Sequence, residues 1–167
     1  MDFNTIITLA VFIAFCLMLY AFSRSRKKAR EEKFRKKIFA LAEQNNCQIS
    51  EYERWNNSVI GIDRVRNYIF VVRNTQNSET SQQINLADFH KCNVNESSRI
   101  VSTKESSNKV VDRIELVFSN VTRNKPDTII EFYNTAYDNL FLAGELQIAE
   151  KWSKTVNDQI AGSVGMK

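Results

Sequence analysis

SVIGIDRVRNYIFVVR, Ser58 to Arg73, reads as two strands and the connection between them. Tyr68–Arg73 is β-branched and aromatic throughout, the strongest strand signal in the chain. Ser58–Asp63 is a second strand, and Asp63–Asn67 (DRVRN) supplies the hairpin connection. Upstream, Asn56-Asn57 marks another turn, preceded by a weakly patterned strand over Gln48–Trp55.

Downstream, Thr75–Ser81 reads as a polar loop and Gln83–Leu86 as a short strand. Ala87–His90 turns a corner, and Lys91–Asn95 continues extended. Glu96–Asn108, rich in Ser, Lys and Glu, reads as a mobile hairpin tip with ragged strands about Arg99–Ser102. Val110–Ser119 alternates, with Ile114, Leu116 and Phe118 inward. Asp127–Tyr133 is the last strand. After it, Leu142, Leu146, Ala149, Trp152, Val156 and Ile160 recur at helical spacing, with Asp138 a candidate N-cap and 161–167 a flexible tail. The fold class is therefore α+β: about seven antiparallel strands in one strongly bent sheet, closed by an amphipathic helix with Leu146, Trp152 and Val156 as its plug.

The other end differs in kind. Ile6–Phe22 is apolar but for Thr8, and with its flanks (about 5–23) reads as a transmembrane anchor built on Ile6, Ile7, Leu9, Val11, Phe12, Ile13, Phe15, Leu17, Leu19 and Phe22. A basic collar follows, led by Arg24, Arg26, Lys27, Lys28 and Arg30, on a helical stalk spanning 24–46. Between Arg24 and Lys37 nine bases face two acids, which puts the C-terminal side in the cytoplasm and the N-terminus outside, with anionic lipid headgroups as partners of the collar. Ile38, Phe39 and Leu41 are expected to dock on the domain that follows.

The chain is +4 overall, and the collar carries more than all of that excess. Residues 38–167 come to −2, which argues against nucleic acid as a partner. Cys16, Cys47 and Cys92 are odd in number and are expected as free thiols.

The Gly61–Val72 hairpin, the INLADF corner (Ile84–Phe89), the two late strands and Trp152 in the closing helix together resemble the pleckstrin-homology superfold, in particular its bacterial PH-like domains. The resemblance covers about Gln48–Asp158 and implies a domain over 47–160. It also implies a ligand loop in an early hairpin, which here would be Arg64, Arg66 and Arg73.

No phosphate loop or hydrolase motif is present, and the four glycines never cluster. Asp88, His90 and Cys92 alternate and would share a strand face, the raw material of a Cys–His pair or a metal site with Cys47. With one histidine in the chain and no ligand spacing, no catalytic, cofactor or metal residue is assigned. The functional expectation is a single-pass membrane protein whose cytoplasmic module binds or scaffolds a protein partner without catalysis, a role that an accessory subunit of a membrane complex would fill. The rivals are an anionic-lipid-sensing adaptor and a small Cys/His enzyme.

Overall fold

The computed structural model describes residues 3–75, 78–102, 107–122, 124–138 and 142–164, with side chains from Phe12 onward apart from those of residues 27 and 164. The chain divides into two compact units, Met1–Lys36 and Lys37–Lys167. Helix α1 runs over Phe3–Gln44.

In the first unit the expected anchor is not borne out: among the described residues, no helix is long and apolar enough to cross a membrane. The apolar stretch with described side chains, Phe12–Phe22, is eleven residues. That is about 16 Å of helix against a hydrocarbon core of roughly 30 Å. The side chains of Ile6, Ile7, Leu9, Val11 and Lys27 lie outside the described residues. Phe12, Ile13, Phe15, Leu17, Leu19 and Phe22 are exposed. The single-pass placement, the orientation and the lipid-facing role of the collar (Arg24, Arg26, Lys28, Arg30) lose their premise with the span. Arg26 instead lies over the Phe22 ring, 4.2 Å from its centroid.

The second unit holds seven strands: β1 (Glu51–Trp55), β2 (Ser58–Asp63), β3 (Tyr68–Asn74), β4 (Glu79–Asn85), β5 (Phe89–Ser102), β6 (Ser107–Asn120) and β7 (Thr128–Asn134), then helix α2 (Glu145–Val164). They form two antiparallel sheets, β1-β2-β3-β4 and β5-β6-β7, rather than one bent sheet. A single 3-10 turn, Leu86–Asp88, separates the sheets, started by Asn85 Oδ1 accepting from the Ala87 N–H.

Asparagines make the turns. Asn46, Asn56 and Asn67 all have positive φ, which Asn tolerates better than other residues bearing a Cβ. Asn46 ends α1, Asn56 turns β1 into β2, and Asn67 turns β2 into β3. Asp63 fixes that last turn and the entry to β1 together. Its Oδ1 accepts from the Val65 and Arg66 N–H groups, both at 2.9 Å, and its Oδ2 accepts from the Gln48 N–H at 2.7 Å.

The core lies between the sheets. Ile60, Ile62, Ile69, Val71 and Ile84 of the first meet Ile114, Leu116, Phe118, Ile130 and Phe132 of the second, and Ala149, Trp152, Val156 and Ile160 of α2 join them. Trp152 is fully buried, and its Nε1 donates to Glu53 at 2.9 Å. Leu146 packs against this core from a half-buried position.

The outer face of the first sheet is also buried, as the all-buried pattern of β2 records. There Ile38 is fully buried over Gly61, and Phe39 meets Tyr52 edge-on at 5.7 Å. Of the stretch expected to dock, Ile38 is buried on the sheet, while Phe39 is exposed beyond its contact with Tyr52 and Leu41 is half-buried.

Three local expectations change. β4 begins at Glu79, inside the expected polar loop, and β5 and β6 pair out to Ser102 and Ser107, where a mobile tip was expected. These strands look like loop because both of their faces meet solvent beyond the core. α2 begins at Glu145 and not after Asp138, and it runs through Ala161–Val164, where a tail was expected. Residues 165–167 lie outside the described ones.

Candidate binding cleft beside the β4 edge

Each sheet leaves strand edges, and unpaired backbone groups there invite pairing with another chain. Two of the edges, β7 and β5, are answered by side chains. On β7, Arg73 Nη1 donates to the Glu131 carbonyl at 2.8 Å and Trp55 Nε1 to the Phe132 carbonyl at 2.8 Å. On β5, Asn157 grips Cys92 from α2, accepting from its N–H at 2.9 Å and donating to its carbonyl at 2.7 Å, while Ser153 donates to the same carbonyl at 2.9 Å. On β1 the contact is made side chain to side chain: the Glu53 carboxylate takes the Trp152 N–H and Lys151, both at 2.9 Å, and ties that strand to α2 without meeting its backbone. β4 is different. Beyond its ladder to β3, no backbone group from Glu79 to Ile84 has a partner among the described residues. Its first five side chains are exposed, and it carries neither Pro nor Lys to blunt the edge.

A cleft of about 490 Å³ opens beside this edge. Val71 and Arg73 of β3 and their ladder partners Gln82 and Thr80 of β4 form one wall. Ile129 and Glu131 of β7, Glu115 of β6 and Tyr137 form the other. The charges are organised around Arg73, which is 7% exposed. Its Nη2 lies 2.7 Å from Asp138 and 3.3 Å from Glu131, and its guanidinium sits 5.5 Å from the Tyr137 ring centroid. Tyr137 donates to Glu131, and Asn134 Nδ2 donates to the same carboxylate at 2.7 Å. Arg73 Nε is buried with no hydrogen-bond partner among the described residues.

Asp138, expected as a helix cap, is spent here: beyond Arg73 it accepts from the Asn134 N–H at 2.8 Å. The expected ligand loop is not assembled. Arg64 pairs with Glu51 at 2.8 Å in an exposed position, Arg66 is exposed, and Arg73 is buried between the sheets. β-alternation hid this, because Arg73 looks like the polar end of a hairpin when only its own strand is read.

The Asp88–His90–Cys92 alternation also fails as a shared face. A bulge between Phe89 and Lys91 breaks the period, so Phe89 and Cys92 turn inward while His90 stays exposed. Burial pushes the Cys92 thiol up to about 12, the Ser153 hydrogen bond offsetting only part of it. Such a thiol is not a nucleophile at neutral pH. Cys47 is also buried, and burial and then Asp63 raise its pKa. All three cysteines are free. Among the described residues no group of three or more His, Cys, Asp or Glu is placed to hold a metal.

No family model, no curated protein and no solved structure matches the chain. The resemblance to the pleckstrin-homology superfold therefore finds no support there. The architecture stands as α+β, two antiparallel sheets with a C-terminal helix.

Proposed function

We propose that this chain is a non-catalytic binding module that takes up an extended segment of another protein along β4. The observation that carries the reading is the contrast between edges: β5 and β7 are answered by side chains, whereas β4 presents an open, polar, proline-free edge beside a cleft. Strand addition draws affinity from main-chain pairing and specificity from neighbouring pockets, and both ingredients lie together here. The buried, un-ionised Cys92 and the outward His90 favour binding over nucleophilic chemistry.

The test is photo-crosslinking from position 83 of the full chain in cells, followed by return of the captured protein to the purified chain. Amides of Ser81–Gln83 should exchange at least tenfold more slowly when it is bound. One of Ser81→Pro and Gln82→Pro, the one whose N–H faces outward, should remove binding while the chain stays folded. Capture with unchanged β4 exchange would refute strand addition.

A further inference from the structure

The backbone directions along β4 fix where a guest side chain goes. The Leu86 N–H donates to the Asn67 carbonyl at 2.8 Å, on the β3 side, and the Asn74 N–H donates away from β4, to the Asn57 carbonyl at 3.0 Å. Through the register Arg73↔Thr80, Val71↔Gln82 and Ile69↔Ile84, these three β4 residues turn their backbone groups toward β3. Ser81 and Gln83 therefore turn theirs outward. A strand added here bonds to Ser81 and Gln83, and its residue opposite Gln82 shares the face of Gln82. That face, with Thr80, lines the cleft.

The cleft carries negative charge that is incompletely matched. Glu115 and Glu131 are direct cross-strand partners and both line it, and like charges so placed repel. Arg73 is shared, its Nη2 standing 2.7 Å from Asp138 and 3.3 Å from Glu131. Arg113 is exposed and lies at a long 3.4 Å from Glu115 and 3.7 Å from Glu131. Among the described residues, three carboxylates thus divide two guanidiniums. Glu131 has Asn134 and Tyr137 as further donors. Glu115, 8% exposed, has besides Arg113 only the neutral amide of Asn95, at 3.1 Å. A carboxylate so far withdrawn from water gains from a cation brought close to it.

The same cleft has an apolar wall. Ile129 is 45% exposed and stands one residue before the Ile130 and Glu131 that also line it. An apolar wall beside acids suits a side chain with a methylene stem and a charged head. An acidic guest would meet two like charges, and an aliphatic one would leave Glu115 unmatched.

We infer that the segment added along β4 places a lysine or arginine opposite Gln82, its stem against Ile129 and its charge on Glu115. This rests on the strand-addition reading and adds the chemistry of the residue recognised.

The test uses a displayed library of random peptides selected on the full chain, with binders sorted by whether they slow amide exchange at Ser81 and Gln83. Those that do should carry Lys or Arg at one fixed position. Replacing it with Met should weaken binding about tenfold, the scale of a hydrogen bond to a charged group, and replacing it with Glu should weaken it further. In Glu115→Gln the advantage of the basic peptide over its Met counterpart should shrink several-fold. That ratio is read between peptides on one variant, so it survives a modest loss of stability. β4-protecting peptides with no basic preference, or with one that Glu115→Gln leaves unchanged, would overturn this inference and leave strand addition standing. A selection in which no peptide protects β4 would overturn both.

Discussion

Trp55 and Phe132 join the two sheets twice over: their rings stack at 4.2 Å between centroids and 11° between planes, and the indole N–H donates to the Phe132 carbonyl at 2.8 Å. Trp55 is the last residue of β1, so one side chain both fills the core and answers the far edge strand. Trp55→Phe keeps most of the stacking and strands a carbonyl, which should cost about 1–3 kcal/mol. Trp55→Ala should cost about 3–5 kcal/mol. Urea denaturation of both variants separates the two contributions; an unchanged Trp55→Phe would mean that the hydrogen bond contributes nothing, and equal losses that the ring does not.

Gly61 allows the end of α1 to lie on the first sheet. A Cβ there would sit 2.9 Å from Ile38 Cδ1, 3.2 Å from Ile49 Cγ2 and 3.3 Å from the Glu51 carbonyl oxygen. Gly61→Ala should destabilise by about 1–3 kcal/mol through overpacking. Ile38→Val removes the closest atom, so the double variant should be more stable than the two single losses added together imply. Strict additivity in that cycle would place the strain elsewhere.

These two sites show what the sequence makes legible. Strands β2, β3 and β7, the inward face of β6 and the stripe of α2 follow from periodicity, because each buries a continuous apolar face. The cleft does not follow from periodicity. Arg73 is recognisable only when β3 is laid beside β7, a relation 58 residues apart. Asn157 sits off the apolar stripe of α2, where an amide reads as solvent-facing until β5 is placed beside it. The β5–β6 arm was hidden for a different reason. Its cross-strand pairs, Lys109–Glu96 and Arg99–Asp112, are charged on exposed faces, and a polar strand has the composition of a loop.

Asn157 serves as a surrogate strand for β5, meeting both backbone groups of Cys92. Asn157→Ala should cost about 1–3 kcal/mol, since both groups lose their partner. Asn157→Asp keeps the acceptor and turns the second contact into oxygen against oxygen, so it should be at least as damaging at neutral pH and milder below pH 4. Hydrogen exchange at the Cys92 amide gives the local readout. An unchanged rate in both variants would show that α2 does not hold this edge.

Asp63 gives the acid limb of stability. Burial raises its carboxyl, but the N–H groups of Arg66, Gln48 and Val65, in that order, and the Cys47 thiol outweigh it and leave the pKa lowered. A carboxyl depressed in the folded state contributes stability that is present above its unfolded pKa, about 3.9, and is lost as pH falls through the lower folded value. Unfolding free energy should therefore decline below about pH 4 with a component that Asp63→Asn removes. The variant should be less stable at pH 7, because an amide cannot accept from all three N–H groups, and its disadvantage should narrow toward pH 2. A gap that stays constant with pH would assign the acid limb to other carboxylates.

The described apolar part of α1 makes a final prediction. Phe12, Phe15, Leu17, Met18 and Phe22 are all more than half exposed, and they fall on every side of the helix. Contiguous apolar surface of this kind is rare on a monomer in water and drives association. The purified full chain should therefore sediment as more than one copy in detergent-free buffer, with the association strengthened by sulfate and weakened by low temperature, as apolar burial requires. Phe15→Glu together with Leu19→Glu should shift it toward monomer without moving the denaturation midpoint of residues 37–167, because those side chains belong to the other unit. A monodisperse monomer at about 100 μM, where even a weak millimolar contact begins to register, would show that this surface does not associate.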